Sequence, residues 1–242
     1  MHVTTTIGPL RCRVVQEGQG APDLTVVLCH GYGAPGDDLV PLGAAMLQQH
    51  PLLATRTRCV FPEAPLVLAQ MGLSYGRAWW HIDLDRIATA RDDEAIHRLS
   101  QQTPEGLDRA RRALLAAVDE LALQGGGMSR LVLGGFSQGA MVATDVTLRL
   151  EEAPAGLFIF SGTLICEPEW RKRAPARRGL EVLQSHGTQD PLLPFQRALA
   201  LRDLLVEAGL NVDFLPFEGV HTISLEALHR AADFLVSCLT PR

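Results

Sequence analysis

Ser137 lies in a glycine-rich segment whose residue types and spacing could support covalent chemistry. The segment reads LVLGGFSQG over residues 131–139, so an apolar run leads into a G-x-S-x-G pattern and then into a helical pattern. This strand–turn–helix order is typical of a nucleophile elbow, a tight turn that holds a serine hydroxyl at a helix N-terminus. Gly135 and Gly139 lack the side chains that would obstruct such a turn. A glycine-rich turn without chemical function is the alternative, and the flanking strand and helix favour a nucleophile.

Asp190 and His221 follow two later apolar runs and could activate that serine. A serine hydroxyl is a weak nucleophile at neutral pH, so it needs a base with a pKa of about 7 and a carboxylate that orients the base. Asp190 lies in SHGTQDP and by itself would be interpreted as a solvated turn residue, but the order serine, acid, histidine selects it. His221 lies in FEGVH, in a loop after a strand, whereas His229 falls inside a helical pattern. We therefore predict Ser137 as nucleophile, Asp190 as orienting acid and His221 as general base.

The segment VVLCHGYG, residues 26–33, could supply the other half of the catalytic machinery. It is a buried-strand pattern that leads into His-Gly-x-Gly. In enzymes with a nucleophile elbow, the loop after this strand and the residue after the nucleophile each donate a backbone N–H to the oxyanion. We assign these donors to Tyr32 and Gln138. His30 could be mistaken for a base or a metal ligand, and we interpret it as a brace of the loop.

The elements that must position these residues alternate along the chain, without a linker or a repeat. Apolar runs predict strands at residues 11–15, 24–29, 57–61, 131–134, 156–160, 180–185 and 212–217. Helical patterns cover residues 37–49, 104–123, 138–150, 195–208 and 224–239, with Thr103 as cap and Pro104 as first residue of the second helix. This alternation predicts a mostly parallel sheet with helices on both faces, and a site beyond the carboxyl ends of the strands.

Bulk properties restrict the class of protein. The 242 residues suit one α/β domain, and a net charge of −5 does not favour binding to nucleic acid. No apolar run approaches membrane-spanning length, so no stable membrane insertion is expected. The N-terminal residues do not have the pattern of a signal peptide. The five cysteines form no C-x-x-C pair, which argues against a disulfide framework or a zinc site, and we expect Cys29 and Cys59 to be buried. A cytoplasmic protein is the expectation.

The motifs resemble those of the phospholipase/carboxylesterase family of α/β-hydrolases, which includes acyl-protein thioesterases and small bacterial carboxylesterases. The similar segments are HGYGAPGDDL, FPEAPLVLAQMG, AWWHID, LGGFSQGAM, FSGTL, SHGTQDPLLP and FEGVHTIS, and they follow one another through nearly the whole chain. The resemblance implies a single-domain α/β-hydrolase fold with a mostly parallel central sheet flanked by helices on both faces. It also implies a hydrolase that works without a metal or a cofactor.

The resemblance leaves the substrate open. We favour a serine carboxylesterase that acts through an acyl-enzyme on small esters of short- to medium-chain acids. Acyl-protein thioesterase and lysophospholipase activities are alternatives that use the same catalytic parts. A non-catalytic binding protein on a hydrolase fold is a further alternative, against which the complete set of catalytic residues argues. Both a monomer and a homodimer are compatible with the sequence.

The region of residues 71–103 departs from the family pattern and could flank the acyl pocket. Members commonly have Trp-Phe-Asp where this chain has WWHID, and the stretch 84–103 is longer than usual, as a lid-like or pocket-flanking insertion would be. The candidate pocket residues are Met71, Leu73, Trp79 and Trp80, because two adjacent tryptophans are hard to bury fully. Two charged segments have simpler interpretations: the basic run 171–178 as a solvated loop, and the acidic pair at residues 37 and 38 as helix caps rather than metal ligands.

Overall fold

The apolar runs form one sheet in a computed structural model that describes residues 2–82, 97–98 and 100–240. Within these residues the sheet has eight strands, namely β1 (Val3–Ile7), β2 (Leu10–Gln16), β3 (Leu24–Cys29), β4 (Thr57–Pro62), β7 (Leu131–Phe136), β8 (Gly156–Phe160), β9 (Glu181–Gly187) and β10 (Asn211–Phe217). Their order across the sheet is β1-β2-β4-β3-β7-β8-β9-β10. The first two are antiparallel to their neighbours and the other pairs are parallel, which confirms the mostly parallel sheet.

Helices cover both faces of this sheet. They are α1 (Val40–Leu47), α2 (Pro51–Arg56), α3 (Leu107–Gly125), α4 (Gln138–Thr147), α5 (Glu167–Arg173), α6 (Phe195–Glu207) and α7 (Leu225–Leu239). Because successive strand residues point to opposite faces, Val27 packs in one core with α3, α4 and α6, and Val26 packs in the other with α1, α2 and α7. The central strands are therefore buried on both faces, which explains their continuously apolar sequences.

The start of α3 differs from the prediction. The expected apolar stripe of the helix is buried, but the helix begins at Leu107 after Gly106, whose φ of 88° is left-handed, and no side chain caps it. Thr103 as cap and Pro104 as first helical residue are therefore wrong. The Leu107 N–H bonds the Pro104 carbonyl in a turn that precedes the helix, and a Cβ on Gly106 would lie 3.1 Å from the Trp80 Cβ. The residue directly before the helix, Gly106, is thus packed against Trp80.

The first predicted helix, residues 37–49, is shorter in the structure, and a second helix that was not predicted follows it. The helix α1 begins at Val40 and has no side-chain cap, so the capping role expected of Asp37 and Asp38 is wrong. It ends at Leu47, and α2 starts at Pro51, where the His50 side chain accepts a hydrogen bond from the Leu52 N–H. A proline suits the first turn of a helix but not its interior, so Pro51 starts a separate helix.

The basic run 171–178 is ordered rather than a solvated loop. It forms the end of α5 and a short 3-10 helix, Ala174–Arg177. Arg171 pairs with Glu167 and Glu207, while Arg177 is buried and donates to the carbonyl of Leu150. These arginines already have intramolecular partners, so the interpretation as a loop is wrong.

The other elements that the sequence analysis omitted are short. They include the edge strand β1, two 3-10 helices at Ala69–Met71 and Met128–Arg130, and a small hairpin of β5 (Leu66–Val67) and β6 (Arg77–Ala78). Of the predicted insertion at residues 84–103, residues 84–96 and 99 lie outside the part of the chain that the structure describes. At its described end, Ser100 and Gln101 donate to the Glu167 carboxylate, so this end contacts α5. Among the helices of the described residues, none is long and apolar enough to cross a bilayer.

Candidate active site

Ser137 sits on a strained turn between β7 and α4. Its φ of 55° and ψ of −119° lie outside the regions that L-residues normally adopt. The Ser137 N–H bonds the Phe160 carbonyl of β8 at 2.9 Å, which holds the turn to the neighbouring strand. A Cβ on Gly135 or Gly139 would lie 2.4 or 2.0 Å from the Cys29 carbonyl oxygen, so both positions require glycine. The turn therefore has the backbone of a nucleophile elbow.

Asp190 and His221 are hydrogen-bonded to each other. The His221 Nδ1 lies 2.6 Å from the Asp190 Oδ2, and the carboxylate is fully buried. The Asp190 Oδ1 accepts the N–H groups of Leu192 and Leu193, each at 2.9 Å. Burial by itself would raise the pKa of Asp190, but hydrogen bonds from His186, His221 and the Leu193 N–H together hold this pKa well below its usual value. The acid is therefore ionised at neutral pH and able to orient the imidazole.

The loops after β9 and β10 bring His221 to the strand end that carries Ser137. The Gln189 N–H bonds the Gly219 carbonyl, so the loop of the acid is joined to the loop of the histidine. The His221 ring lies 4.7 Å, centroid to centroid, from the ring of Phe136, which directly precedes Ser137. The Ser161 hydroxyl also donates to the carbonyl of Thr222. The three predicted residues therefore converge at the carboxyl edge of the sheet.

The loop of Tyr32 passes close to Ser137. A Cβ on Gly31 would lie 3.4 Å from the Ser137 Cβ, so the backbone before Tyr32 is in contact with the elbow. The loop is held by the Gly33 N–H, which bonds the Arg77 carbonyl at 2.8 Å. On the other side, Gln138 is the first residue of α4, where backbone N–H groups have no partner within the helix. This arrangement suits two N–H donors to an oxyanion.

His30 braces this loop, as predicted. Its Nδ1 lies 2.8 Å from the Gly31 carbonyl, and its Nε2 accepts the Ala64 N–H at 3.1 Å. Because Nε2 accepts this N–H, the proton of a neutral ring must be on Nδ1. Burial lowers the pKa of His30, which favours this neutral form.

Trp79 and Trp80 are buried, with exposed fractions of 1% and 3%. The Gln138 Oε1 accepts the Trp79 N–H at 2.9 Å, and the Gln138 Nε2 donates to the Trp80 carbonyl at 2.8 Å. The Trp79 indole N–H donates to the His30 carbonyl. The expectation that adjacent tryptophans resist full burial is therefore wrong, and partners satisfy both N–H groups of Trp79 and the Trp80 carbonyl. The sequence analysis missed this role of the Gln138 side chain.

Met71 and Leu73 are partly exposed, unlike the two tryptophans. They lie against the loop of residues 30–36, which we call the oxyanion loop after the role predicted for Tyr32. The Met71 Sδ is 3.9 Å from the Tyr32 hydroxyl, and a Cβ on Gly33 would lie 3.4 Å from the Leu73 Cδ1. The structure thus separates the four predicted pocket residues into two on the surface of the loop and two in the core.

Three further residues next to the site were missed by the sequence analysis: Glu63, Arg77 and His186. Glu63 and Arg77 border a cavity of about 500 Å³ beside the oxyanion loop, and the predicted catalytic residues do not line it. The His186 Nε2 lies 2.8 Å from the Leu193 carbonyl and 3.3 Å from the Asp190 Oδ2. Glu63 directly follows a strand, and His186 lies four residues before Asp190, so position relative to strand ends was the available signal. Within the described part of the chain, no three His, Cys, Asp or Glu side chains are placed to hold a metal ion.

The order of the parallel strands, the strained serine between β7 and α4 and the acid–histidine pair define an α/β-hydrolase. The profile of the Phospholipase/Carboxylesterase family matches residues 10–239, and the chain belongs to this family. It is therefore a hydrolase, and the family prediction is confirmed.

Similar proteins include both thioesterases and esterases. Acyl-protein thioesterase 1 of Kluyveromyces lactis is 29% identical over 234 residues, which cover 94% of this chain and 96% of the relative. Acyl-protein thioesterase 1 of Neurospora crassa is 25% identical over 89% of this chain and 86% of the relative. The crystal structure of esterase PE8 has a TM-score of 0.76 and 30% identity, and covers 93% of this chain and 97% of that chain.

Proposed function

We propose that this hydrolase is a serine carboxylesterase that cleaves small esters of short- to medium-chain acids through an acyl-enzyme at Ser137. The observation that carries the proposal is the hydrogen bond between His221 and the buried Asp190 carboxylate, next to the strained serine turn. With Nδ1 engaged by Asp190, the Nε2 of His221 remains available as the base for the serine hydroxyl.

The proposed reaction has two stages, acylation and deacylation of Ser137, and both use these groups. The Ser137 Oγ attacks the ester carbonyl carbon while His221 takes the hydroxyl proton, and Asp190 stabilises the imidazolium. The backbone N–H groups of Tyr32 and Gln138 bind the tetrahedral oxyanion, a contribution of typically 3–4 kcal/mol per donor. His221 then protonates the leaving alcohol. Water repeats the sequence on the acyl-enzyme, which releases the acid and restores the free serine.

Thioester hydrolysis on acylated proteins is the second candidate, because several relatives are named acyl-protein thioesterase 1. The same catalytic groups serve both reactions, and the similarity to esterase PE8 supports ester hydrolysis as the main activity. Lysophospholipase activity is the third candidate. A comparison of p-nitrophenyl esters from acetate to palmitate with a long-chain acyl thioester and a lysophospholipid separates the three. If kcat/KM is highest for the long-chain thioester, the proposal of a carboxylesterase is rejected.

A non-catalytic protein on this fold is tested by covalent labelling. A fluorophosphonate probe reacts with activated serines, so we expect stoichiometric labelling that maps to Ser137. An unlabelled, folded protein would contradict the proposed function altogether.

Met71 and Leu73 are the proposed contacts to the substrate, and both are partly exposed against the oxyanion loop. Trp79 and Trp80 are proposed to shape the site from behind that loop, since their side chains are in the core.

We also propose a reducing, cytoplasmic location. The five free cysteines, four of them buried, support it, because disulfides are the usual state of paired thiols in oxidising compartments.

A further inference from the structure

We propose that Glu63 is a positioning residue that holds the oxyanion loop through Arg77. This inference rests on the proposed function, because the loop concerned is the one that carries the Tyr32 N–H. Glu63 directly follows β4, and its side chain is 5% exposed. Its Oε1 lies 2.7 Å from the Arg13 guanidinium and its Oε2 lies 3.3 Å from that of Arg77. A third cation, Arg11, is 3.7 Å away and largely exposed.

The Glu63 side chain touches the far end of the loop directly. A Cβ on Gly36 would lie 2.0 Å from the Glu63 Cγ and 2.7 Å from its Cδ, so the loop backbone is packed against the stem of the carboxylate. The following residue, Ala64, donates its N–H to His30 at the beginning of the loop. Both ends of the loop are therefore in contact with residues 63 and 64.

Arg77 holds the middle of the loop. Its carbonyl accepts the Gly33 N–H at 2.8 Å, and its own N–H donates to the Ala34 carbonyl at 3.1 Å. Its guanidinium is held by the Glu63 carboxylate and by the Ala64 carbonyl. Arg77 thus connects the buried Glu63 carboxylate to the two residues that follow Tyr32.

This geometry has a catalytic consequence that differs from simple stabilisation. Removing one partner of a buried ion pair lowers stability, and this effect is separate from catalysis, for which an oxyanion donor must be accurately placed in the transition state. Removal of the Glu63 charge leaves the Arg77 guanidinium without its carboxylate and lets the backbone around Tyr32 shift. Binding of the ground-state ester does not depend on this N–H, so the loss should appear in kcat rather than in KM.

The test is Glu63→Gln, which preserves shape and removes the charge. We expect kcat for p-nitrophenyl butyrate to fall about tenfold with KM changed less than twofold. A trifluoromethyl ketone, whose adduct with the serine places an oxyanion in the hole, should lose affinity by the same factor. A non-hydrolysable amide analogue of the substrate should bind as before.

Asp145→Asn is the matched control. Asp145 is also a fully buried carboxylate paired with two arginines, Arg111 and Arg149, and it makes its further bond to the indole of Trp170, away from the oxyanion loop. This variant should lower Tm while leaving kcat and the trifluoromethyl ketone affinity within twofold of the wild type. Glu63→Gln with the same behaviour as Asp145→Asn would overturn the positioning role.

Arg77→Met decides the question if Glu63→Gln does not fold. It removes the guanidinium and keeps the backbone contacts to Gly33 and Ala34, so the same tenfold losses are expected, and wild-type values would overturn the proposal. Assays of the wild type distinguish a failure of the proposed function from a failure of the role of Glu63. Absence of ester hydrolysis and of ketone binding in the wild type contradicts the proposed function, whereas an active wild type with fully active variants contradicts only the role of Glu63.

Discussion

Ser137 is placed by the backbone rather than by packing of its side chain. Its hydroxyl contributes little to the core because the residue is only partly buried, while the glycines beside it absorb the close contacts. Ser137→Ala should therefore abolish ester turnover and leave Tm unchanged within about 2 °C, a shift that corresponds to a small change in free energy. Steady-state kinetics and thermal unfolding measure the two effects. More than a few per cent of residual activity would reject Ser137 as the nucleophile.

His221 and His229 form a natural pair for a controlled comparison. His221 bonds the buried acid, whereas His229 is exposed on α7. We expect His221→Ala to lower kcat/KM by on the order of 10⁴ or more, as for other residues of such a triad, and His229→Ala to have an effect below twofold. Both variants should be assayed on the same ester. The reverse order of effects would show that the last loop has been interpreted wrongly.

Asp190 should contribute a pH-dependent part of the stability. Its pKa is lowered in the folded state by the hydrogen bonds that it accepts. A carboxylate with a lowered folded pKa stabilises the protein above its unfolded pKa of about 3.9, and this contribution is lost as the pH falls towards the folded value. The difference in free energy of unfolding between wild type and Asp190→Asn should therefore be larger at pH 6 than at pH 3. Urea unfolding at both pH values measures it, and a difference independent of pH would contradict this account.

At the scale of elements, the N-terminus of α4 and the loop of Trp79 and Trp80 are joined by one side chain. Gln138→Ala leaves the Trp79 N–H and the Trp80 carbonyl without partners in a buried site. Because unsatisfied buried groups cost about 1–3 kcal/mol each, we expect a loss of roughly 2–5 kcal/mol in the free energy of unfolding. The backbone N–H proposed for the oxyanion is retained, so kcat should fall less than tenfold.

Gln124→Ala is the control for that experiment. Gln124 is exposed on α3, and its side chain donates a hydrogen bond to Glu120 one turn earlier in the same helix. Its effect on stability should be within about 0.5 kcal/mol, as is usual for surface substitutions. Equal effects of the two substitutions in chemical denaturation would mean that the Gln138 side chain does not join these elements.

At the scale of the whole molecule, the two-sided core determines the chemistry of the thiols. Burial raises the pKa of Cys12 and Cys59 to about 12 and that of Cys238 to about 11. Thiols in this state react slowly because the thiolate is the nucleophile. Titration of the native protein with Ellman's reagent should therefore give at most one slowly reacting thiol, that of the partly exposed Cys238, and five thiols in denaturant. Rapid reaction of three or more in the native state would contradict the packing of the sheet.

The sequence by itself determined the central sheet and the positions of the chemical groups. A strand buried on both faces must be apolar throughout, so the bounds of β3 and β8 could be read directly. The G-x-S-x-G spacing specified the turn at Ser137 because glycine is the residue that fits there. Asp190 and His221 could be selected because the ends of parallel strands meet at one edge of the sheet.

Only the tertiary structure decided which side chains support that site. The burial of Trp79 and Trp80 depends on Gln138, which lies 58 residues or more away along the chain. The ion pair of Glu63 depends on β2 and on the hairpin of Arg77. Such contacts leave no periodic signal, because they join one residue of each element across the sheet rather than a repeated face. The short strands β1, β5 and β6 and the true start of α3 were likewise set by long-range contacts that local patterns do not contain.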